Sequence, residues 1–386
     1  EAVDEYTIRL TYDTPYFAYI NDFCWPDVCT MISPKQITQG DFQTVNGYAG
    51  TGPYIYDEYV AGQYTTFVRN ENYWGEQPYY DKIVAKYIPD NASRVQALKT
   101  GEIDLIYGSA ELSYEDYNQA TAIDGIEGKF APSGSTVRNI ILNFNGNLSD
   151  LSVRQALAYA IDKEAISEGL TYGYEPVANT IVPDGTPYSD ICGTEDYTYN
   201  VDRANQLLDE AGWIMNQSTG IREKDGQKLV IRWLTYPSRQ ELPLLAESAQ
   251  ATLKEIGMDV QVNCTSDSNT IRKDPAQWDV YASAMVTAPT GDPENFFTTC
   301  ALDNSVSNNG HYHSDKLEEL AKEMGKEFDV EKRSELGIQM QQTVLDDNAY
   351  VFCSHLKMSM IMQSNVTGLV AHPCDYYELT ADLDIN

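Results

Sequence analysis

The 386-residue chain has no run of about 18 consecutive apolar residues, so nothing in it reads as a transmembrane helix. Cations are scarce: 26 Lys and Arg against 58 Asp and Glu give a formal net charge of −32. A field of that sign repels nucleic acid and anionic membranes, and it favours cationic ligands or plain solubility. Only 4 histidines are present, which leaves few neutral-pH bases to recruit. There is no Gly-Xaa-Ser-Xaa-Gly elbow, no His-Glu-Xaa-Xaa-His and no dinucleotide fingerprint. The rival enzymatic reading, a secreted hydrolase, therefore rests on scattered carboxylates alone. Seven cysteines (Cys24, Cys29, Cys192, Cys264, Cys300, Cys353, Cys374) include no Cys-Xaa-Xaa-Cys pair, which argues against a zinc ribbon or a thioredoxin-type motif. Disulfides among them fit an exported protein, and an odd thiol would then be left over. The chain opens on Glu1-Ala-Val-Asp-Glu, directly into a strand pattern and without a signal-peptide pattern.

The length suggests two or three domains. The stretch from Asn143 to Leu170 organises them. Val153, Ala156, Leu157, Ala160 and Ile161 recur at helical spacing as a core-facing stripe, with Asp150 or Ser152 placed to cap it. The preceding run, Arg138 to Asn145, has the β-branched and aromatic content of a strand.

Earlier in the chain, Tyr6, Ile8, Leu10 and Tyr12 alternate as a strand face, and Tyr16, Phe17 and Ile20 follow Pro15 in a short apolar helix or loop. Gly50-Thr-Gly-Pro53 reads as a turn between strands; a phosphate loop would need a following Gly-Lys-Ser/Thr. Asn91 is expected to cap a helix through Val95 and Leu98, with Glu102 to Tyr107 as the next strand. Asn200 is expected to cap a helix carrying Ala204, Leu207, Leu208 and Ala211. Leu229 to Leu234, the apolar positions Leu242 to Ile256, and Met258 to Val262 form strand, helix and strand, which predicts a βαβ unit and a mostly parallel sheet.

Several of these words resemble one family. Asp150-Leu-Ser-Val-Arg-Gln-Ala-Leu-Ala-Tyr-Ala-Ile-Asp-Lys163 and Asn200-Val-Asp-Arg-Ala-Asn-Gln-Leu-Leu-Asp-Glu-Ala-Gly-Trp213 resemble the family 5 extracellular solute-binding proteins of ABC importers, the oligopeptide, dipeptide and nickel-binding group. Gly50-Thr-Gly-Pro-Tyr54 and Asn70-Glu-Asn-Tyr-Trp74 add architectural motifs of the same family. The resemblance implies an α/β, type II periplasmic-binding-protein-like fold, two-lobed, with mixed sheets and flanking helices. It further implies a receptor whose lobes close on a ligand by hinge motion. Family chains carry a long stretch before the point matched by Glu1, so the chain is expected to be an N-terminally truncated member. The expected division is 1–47 as the remainder of a small extra domain, 48–137 with 366–386 as lobe I, and 138–365 as lobe II.

Function concentrates between Trp278 and His313. Asp279 to Met285 is strand-like, and Thr287-Ala-Pro-Thr-Gly-Asp-Pro293 is a loop beyond its end, where α/β lobes hold ligands. By resemblance, peptide-binding relatives carry an Asp three residues before the Asp-Pro, to hold a peptide's amino terminus; here that position is Pro289. Ala288-Pro289 is similar instead to nickel-binding members, although their preceding Trp and their cleft Arg, expected near Trp25 to Thr30, are missing. The ligand-binding candidates are Trp25, Asn145, Met285, Thr287, Pro289, Asp292 and His311, and His311 with His313 could ligate a metal. No cofactor is expected, although a nickel complex could be the cargo. Di- or oligopeptides lead as ligand and a metal chelate follows. The implied partner is a membrane permease, with no nucleic acid, and the protein is expected to be an extracytoplasmic monomer, lipid-anchored in its full-length form.

Overall fold

The computed structural model describes residues 1–13, 15–25, 29, 31, 33, 50–108, 112–134, 136–186, 188–190, 197–373 and 380–385. Cys192, Cys374, Thr30 and residues 34–47 of the expected 1–47 domain lie outside the described residues. Cys24, Cys264 and Cys300 are not in disulfides. The chain divides into two compact units: Glu1–Val28, Ser135–Ser167 and Val177–His355 form the first, and Cys29–Gly134, Glu168–Pro176 and Leu356–Asn386 form the second.

The first unit is built on a five-stranded sheet, in the order Asp259–Cys264, Val230–Thr235, Val280–Val286, Thr136–Leu142, Tyr350–His355. The predicted βαβ unit is present. Val230–Thr235 and Asp259–Cys264 pair in parallel from Val230 opposite Asp259 to Thr235 opposite Cys264, and Glu241–Glu255 is the crossover helix. That helix buries Leu242, Leu245, Ala246, Ala249 and Leu253, each large side chain contributing about 2 kcal/mol of apolar burial. Val137 and Ile141 project into a core on one side of the sheet with Phe296, Phe297, Val344 and Phe352.

Thr136–Leu142 is antiparallel to both neighbours, with Val286 opposite Thr136 and Val280 opposite Leu142. Its last six residues are buried, as befits a strand covered on both faces. The following segment is two helices where one was expected. Leu151–Tyr159 is capped by Asp150, whose side chain accepts from Ser152 N at 2.9 Å. Asp162 then accepts from Ala165 N at 2.9 Å and starts Lys163–Thr171. A short polar side chain that bonds to a nearby backbone amide ends one helix and opens another. Ala160 and Ile161, at the break, are fully buried all the same. Asn200 caps Val201–Glu210 as expected, accepting from Arg203 N at 2.9 Å.

The second unit contains two three-stranded sheets. One is Tyr54–Val60, Tyr64–Arg69, Lys82–Lys86; the other is Leu105–Gly108, Ser359–Gln363, Ile126–Phe130. Leu98, Ile106, Ile126 and Ile361 centre its core, beside an aromatic cluster in which Phe130 and Tyr174 lie 4.5 Å apart. Burial there pushes the Tyr117 hydroxyl up to about 12. Asp90, not Asn91, caps the helix Asn91–Lys99, accepting from Ser93 N at 2.8 Å.

The expected strand over Tyr6 to Tyr12 does not form. Among the described residues its ladder contact is the single bridge of Ala2 with Ile8, and Tyr6 is 90% exposed. Alternation supplies an apolar face, but among the described residues no neighbouring strand or layer covers that face.

The first unit also buries an ion cluster. Arg333, in the helix Val330–Asp346, is 0% exposed; its Nε donates to Asp292 at 3.0 Å, its Nη1 donates to the carbonyl of Met324 at 2.8 Å, and its Nη2 reaches Glu294. Phe17 lies over the guanidinium, 4.5 Å from carbon to ring centre. Burial raises the Glu294 carboxyl above the usual range, against the pull of Arg333. Removing one member of such a set strands a buried charge. Asp292→Ala is expected to cost about 3–5 kcal/mol, read as a lowered urea midpoint; a loss below about 1 kcal/mol would mean that Asp292 is not holding Arg333.

Candidate functional site

Four of the strands in the first unit's five-stranded sheet point the same way, so the ends of Val230–Thr235, Val280–Val286 and Tyr350–His355 lie on one edge together with the start of Thr136–Leu142. Chain leaving parallel strands loses its ladder partners there, and its side chains are free to meet a solute. Met285 is half-buried at this edge, and Thr287 is fully buried just beyond it. The Thr287 hydroxyl donates to the carbonyl of Ile181 at 2.6 Å, pinning the start of the loop. Half-buried Pro289 follows. Tyr236, after the neighbouring strand, accepts from Ala284 N at 3.3 Å through its hydroxyl. Across from Ala284 stands Arg138, 1% exposed, with Nη1 3.7 Å from Glu241 at the start of the crossover helix.

The predicted residues do not all converge here. Asn143, Phe144 and Asn145 continue the one strand that runs the other way, so they leave from the opposite edge; Asn143 N donates to the carbonyl of Asp279, at the foot of Val280–Val286. Phe144 N bonds to the carbonyl of Gly310 at 2.7 Å. A Cβ on Gly310 would sit 2.4 Å from the carbonyl oxygen of Leu142, so only glycine lets this loop approach. His311 and His313 therefore share the edge of Asn145. A seven-residue strand at ~3.3 Å per residue separates that edge from Thr287 by roughly 20 Å.

Asp292 is committed to Arg333. Trp25 is half-buried after the helix Tyr19–Asp22, in a segment that Phe17 ties to the same cluster. Tyr16 donates to Asp22 at 2.5 Å, and burial together with that carboxylate raises its hydroxyl well above the usual phenol range.

Exposed His311 has a left-handed φ of 55°. His313 is held by carboxylates, with Nδ1 2.8 Å from Asp303 and Nε2 3.5 Å from Asp315. Among the described residues no group of three His, Cys, Asp or Glu is gathered closely enough to hold a metal ion. Arg138, Tyr236 and Glu241 were not singled out from sequence. Their one available signal is an arginine heading an otherwise apolar strand run.

The profile of the bacterial extracellular solute-binding proteins, family 5 Middle, matches residues 1–308. The nickel-binding periplasmic protein of Escherichia coli (strain K12) is 32% identical over 266 residues, covering 68% of this chain and 50% of that protein. The oligopeptide-binding protein AppA of Bacillus subtilis (strain 168) is 26% identical over 332 residues, covering 84% of this chain and 60% of its own. Among solved structures, NikA from Brucella suis in complex with Fe(III)-EDTA is similar with a TM-score of 0.92 at 26% identity, over 100% of this chain and 78% of that one. The chain thus spans half to three fifths of the length of these two curated relatives. No helix of the described residues is long and apolar enough to cross a membrane.

The carboxylate of Asp303 raises the pKa of His313 above its ordinary 6.5, with Asp315 and Glu318 adding to it. A raised folded-state value means that the contribution of this contact to stability is complete below pH about 6.5 and fades as pH rises through the folded pKa. Titration of the imidazole carbon shifts by NMR should place His313 above 6.5, and Asp303→Asn should bring it back towards 6.5. An unchanged value in the variant would show that Asp303 is not the cause.

Proposed function

We infer that this chain, which belongs to the bacterial extracellular solute-binding proteins of family 5, is the solute-capturing part of an ABC importer's extracytoplasmic receptor. The observation carrying this reading is the edge at Met285, Thr287 and Pro289. There a buried, backbone-pinned loop start presents half-buried apolar side chains beside Tyr236, with the Arg138 and Glu241 pair behind them. Such a surface holds a solute by shape and a few fixed polar groups.

Catalysis is not part of the proposal. The hydroxyls of Thr235 and Thr287 donate to the carbonyls of Ala282 and Ile181 respectively, so neither is poised as a nucleophile beside a base. The family is one of solute-binding proteins, and the route proposed here is capture followed by delivery to a permease by a monomer. The proposal places the protein outside the cytoplasm, held there by a lipid in its full-length form.

Di- and oligopeptides are the leading cargo, in keeping with the B. subtilis relative. A metal chelate such as a nickel complex is the second reading, favoured by a specific observation. By the resemblance to peptide-binding members, Pro289 stands where an acidic anchor for a peptide amino terminus would be, and a proline side chain cannot supply that charge. In that reading the metal arrives already complexed, because the described residues gather no protein ligand set of three. Met285, Thr287 and Pro289 are proposed as solute contacts; Trp25 is proposed as a flanking aromatic surface.

Native mass spectrometry of the protein purified from its source without chelator, compared with the same sample denatured, tests the reading. A ladder of released peptide masses is the expected result. A released adduct with a nickel isotope pattern would instead establish the second cargo. A sample without solute that also takes up neither a dipeptide mixture nor nickel with L-histidine would contradict the receptor assignment.

A further inference from the structure

At the carboxyl edge of the first unit the parallel ladder stops before its strands do. Val230–Thr235 and Val280–Val286 are in register at Trp233 opposite Val280 and Leu234 opposite Tyr281. The next two polar groups that Val280–Val286 turns to this side, the carbonyl of Ala282 and the amide of Ala284, are taken by side chains. The Thr235 hydroxyl donates to the carbonyl of Ala282 at 3.1 Å, and the amide of Ala284 donates to the Tyr236 hydroxyl at 3.3 Å. Two hydroxyls thus carry the ladder past the end of the neighbouring strand. Without them a carbonyl and an amide would lose their partners at the edge.

The two hydroxyls end in different states. Each has one proton and two lone pairs to offer. Thr235 is fully buried and has spent its proton. Half-buried Tyr236 has spent a lone pair, and among the described residues its proton reaches no acceptor. A hydroxyl that accepts from an amide is polarised into a stronger donor. The ring that carries this one is packed against the core, with its centre 6.2 Å from that of Tyr281. The donor is therefore in place before any solute arrives, over the residue that precedes Met285.

Resting on the receptor reading above, we propose that Tyr236 is a specificity-determining residue whose hydroxyl donates to an oxygen of the solute, a carboxylate or an amide carbonyl held beside Met285. A solute without an acceptor at that point covers the edge and leaves the donor unpaired. A site built to bond an oxygen rejects the analogue that lacks it.

Native mass spectrometry titrations of the protein as isolated from its source, freed of solute, test this with two pairs of probes. One pair is nickel with L-histidine and nickel with histamine, which lacks the carboxylate; the other is a dipeptide mixture and the same mixture amidated at its carboxyl ends. Tyr236→Phe keeps the ring and removes the hydroxyl, and it should weaken the probe that wild type binds about 10-fold. Thr235→Val removes the hydroxyl whose proton is already spent, and its affinity should stay within about twofold of wild type. Where the acceptor is a carboxylate, wild type should prefer the carboxylate-bearing member of the pair about 10-fold and Tyr236→Phe should lose that preference. Where it is an amide carbonyl, Tyr236→Phe should weaken both dipeptide mixtures alike. Equal affinity of wild type and Tyr236→Phe for a probe that wild type binds would overturn the donor assignment and leave the receptor reading standing. So would an equal loss in Thr235→Val, which would mark a change in the ladder and not in the solute bond. Wild-type protein that takes up none of the four probes would contradict the receptor reading itself, and this proposal with it.

Discussion

The pairing of Thr136–Leu142 with a neighbour on each side is the constraint from which the first unit follows. Because this strand is antiparallel to both Val280–Val286 and Tyr350–His355, those two run parallel to each other without touching, and Val280–Val286 can still accept Val230–Thr235 on its other side. One reversed strand, the fourth of the five, lets chain enter at the edge where its neighbours leave. Its burial on both faces means that a shift by one residue would turn Arg138 and Asn139 to the wrong sides of the sheet, so the register is strongly held.

The same reversal explains how much was legible in the sequence. Helices and strands could be read because their signals are local: Asn200 and Asp150 cap as expected, and strand, helix and strand from 230 to 264 close in parallel. The motifs also announced the family. Strand direction is not a local property. Asn145 and Thr287 each follow a strand in sequence, yet one strand runs against the other and the two positions leave from opposite edges. The long helix expected through Ile161 failed on a subtler point, since Asp162 serves the next helix better as a cap than the first as an interior residue. The stretch Tyr6 to Tyr12 had the right alternation and lacked only something to pack against.

Charge has a similar division between what shows and what hides. A formal charge of −32 is a surface property and predicts little about the interior. Inside, Arg333 satisfies two carboxylates and a backbone carbonyl at once, tying the loop that carries Pro289 to the helix Val330–Asp346 and, through Phe17, to the segment before Trp25. Asp292 is a ligand candidate in the sequence because it lies in the Asp-Pro of a loop beyond a strand end. Its actual partner lies 41 residues away in sequence, and no pattern within the loop reveals it.

The central claim is that solute is met at the carboxyl edge marked by Met285 and Thr287. Methyl-labelled methionine NMR tests it most directly, recorded on the protein with its co-purified solute and again after the solute has been removed. The account predicts that the Met285 methyl resonance moves while those of Met324 and Met340, buried in the core on one side of the sheet, stay in place. A Met285 resonance that is unchanged between the solute-bound and solute-free protein would contradict it.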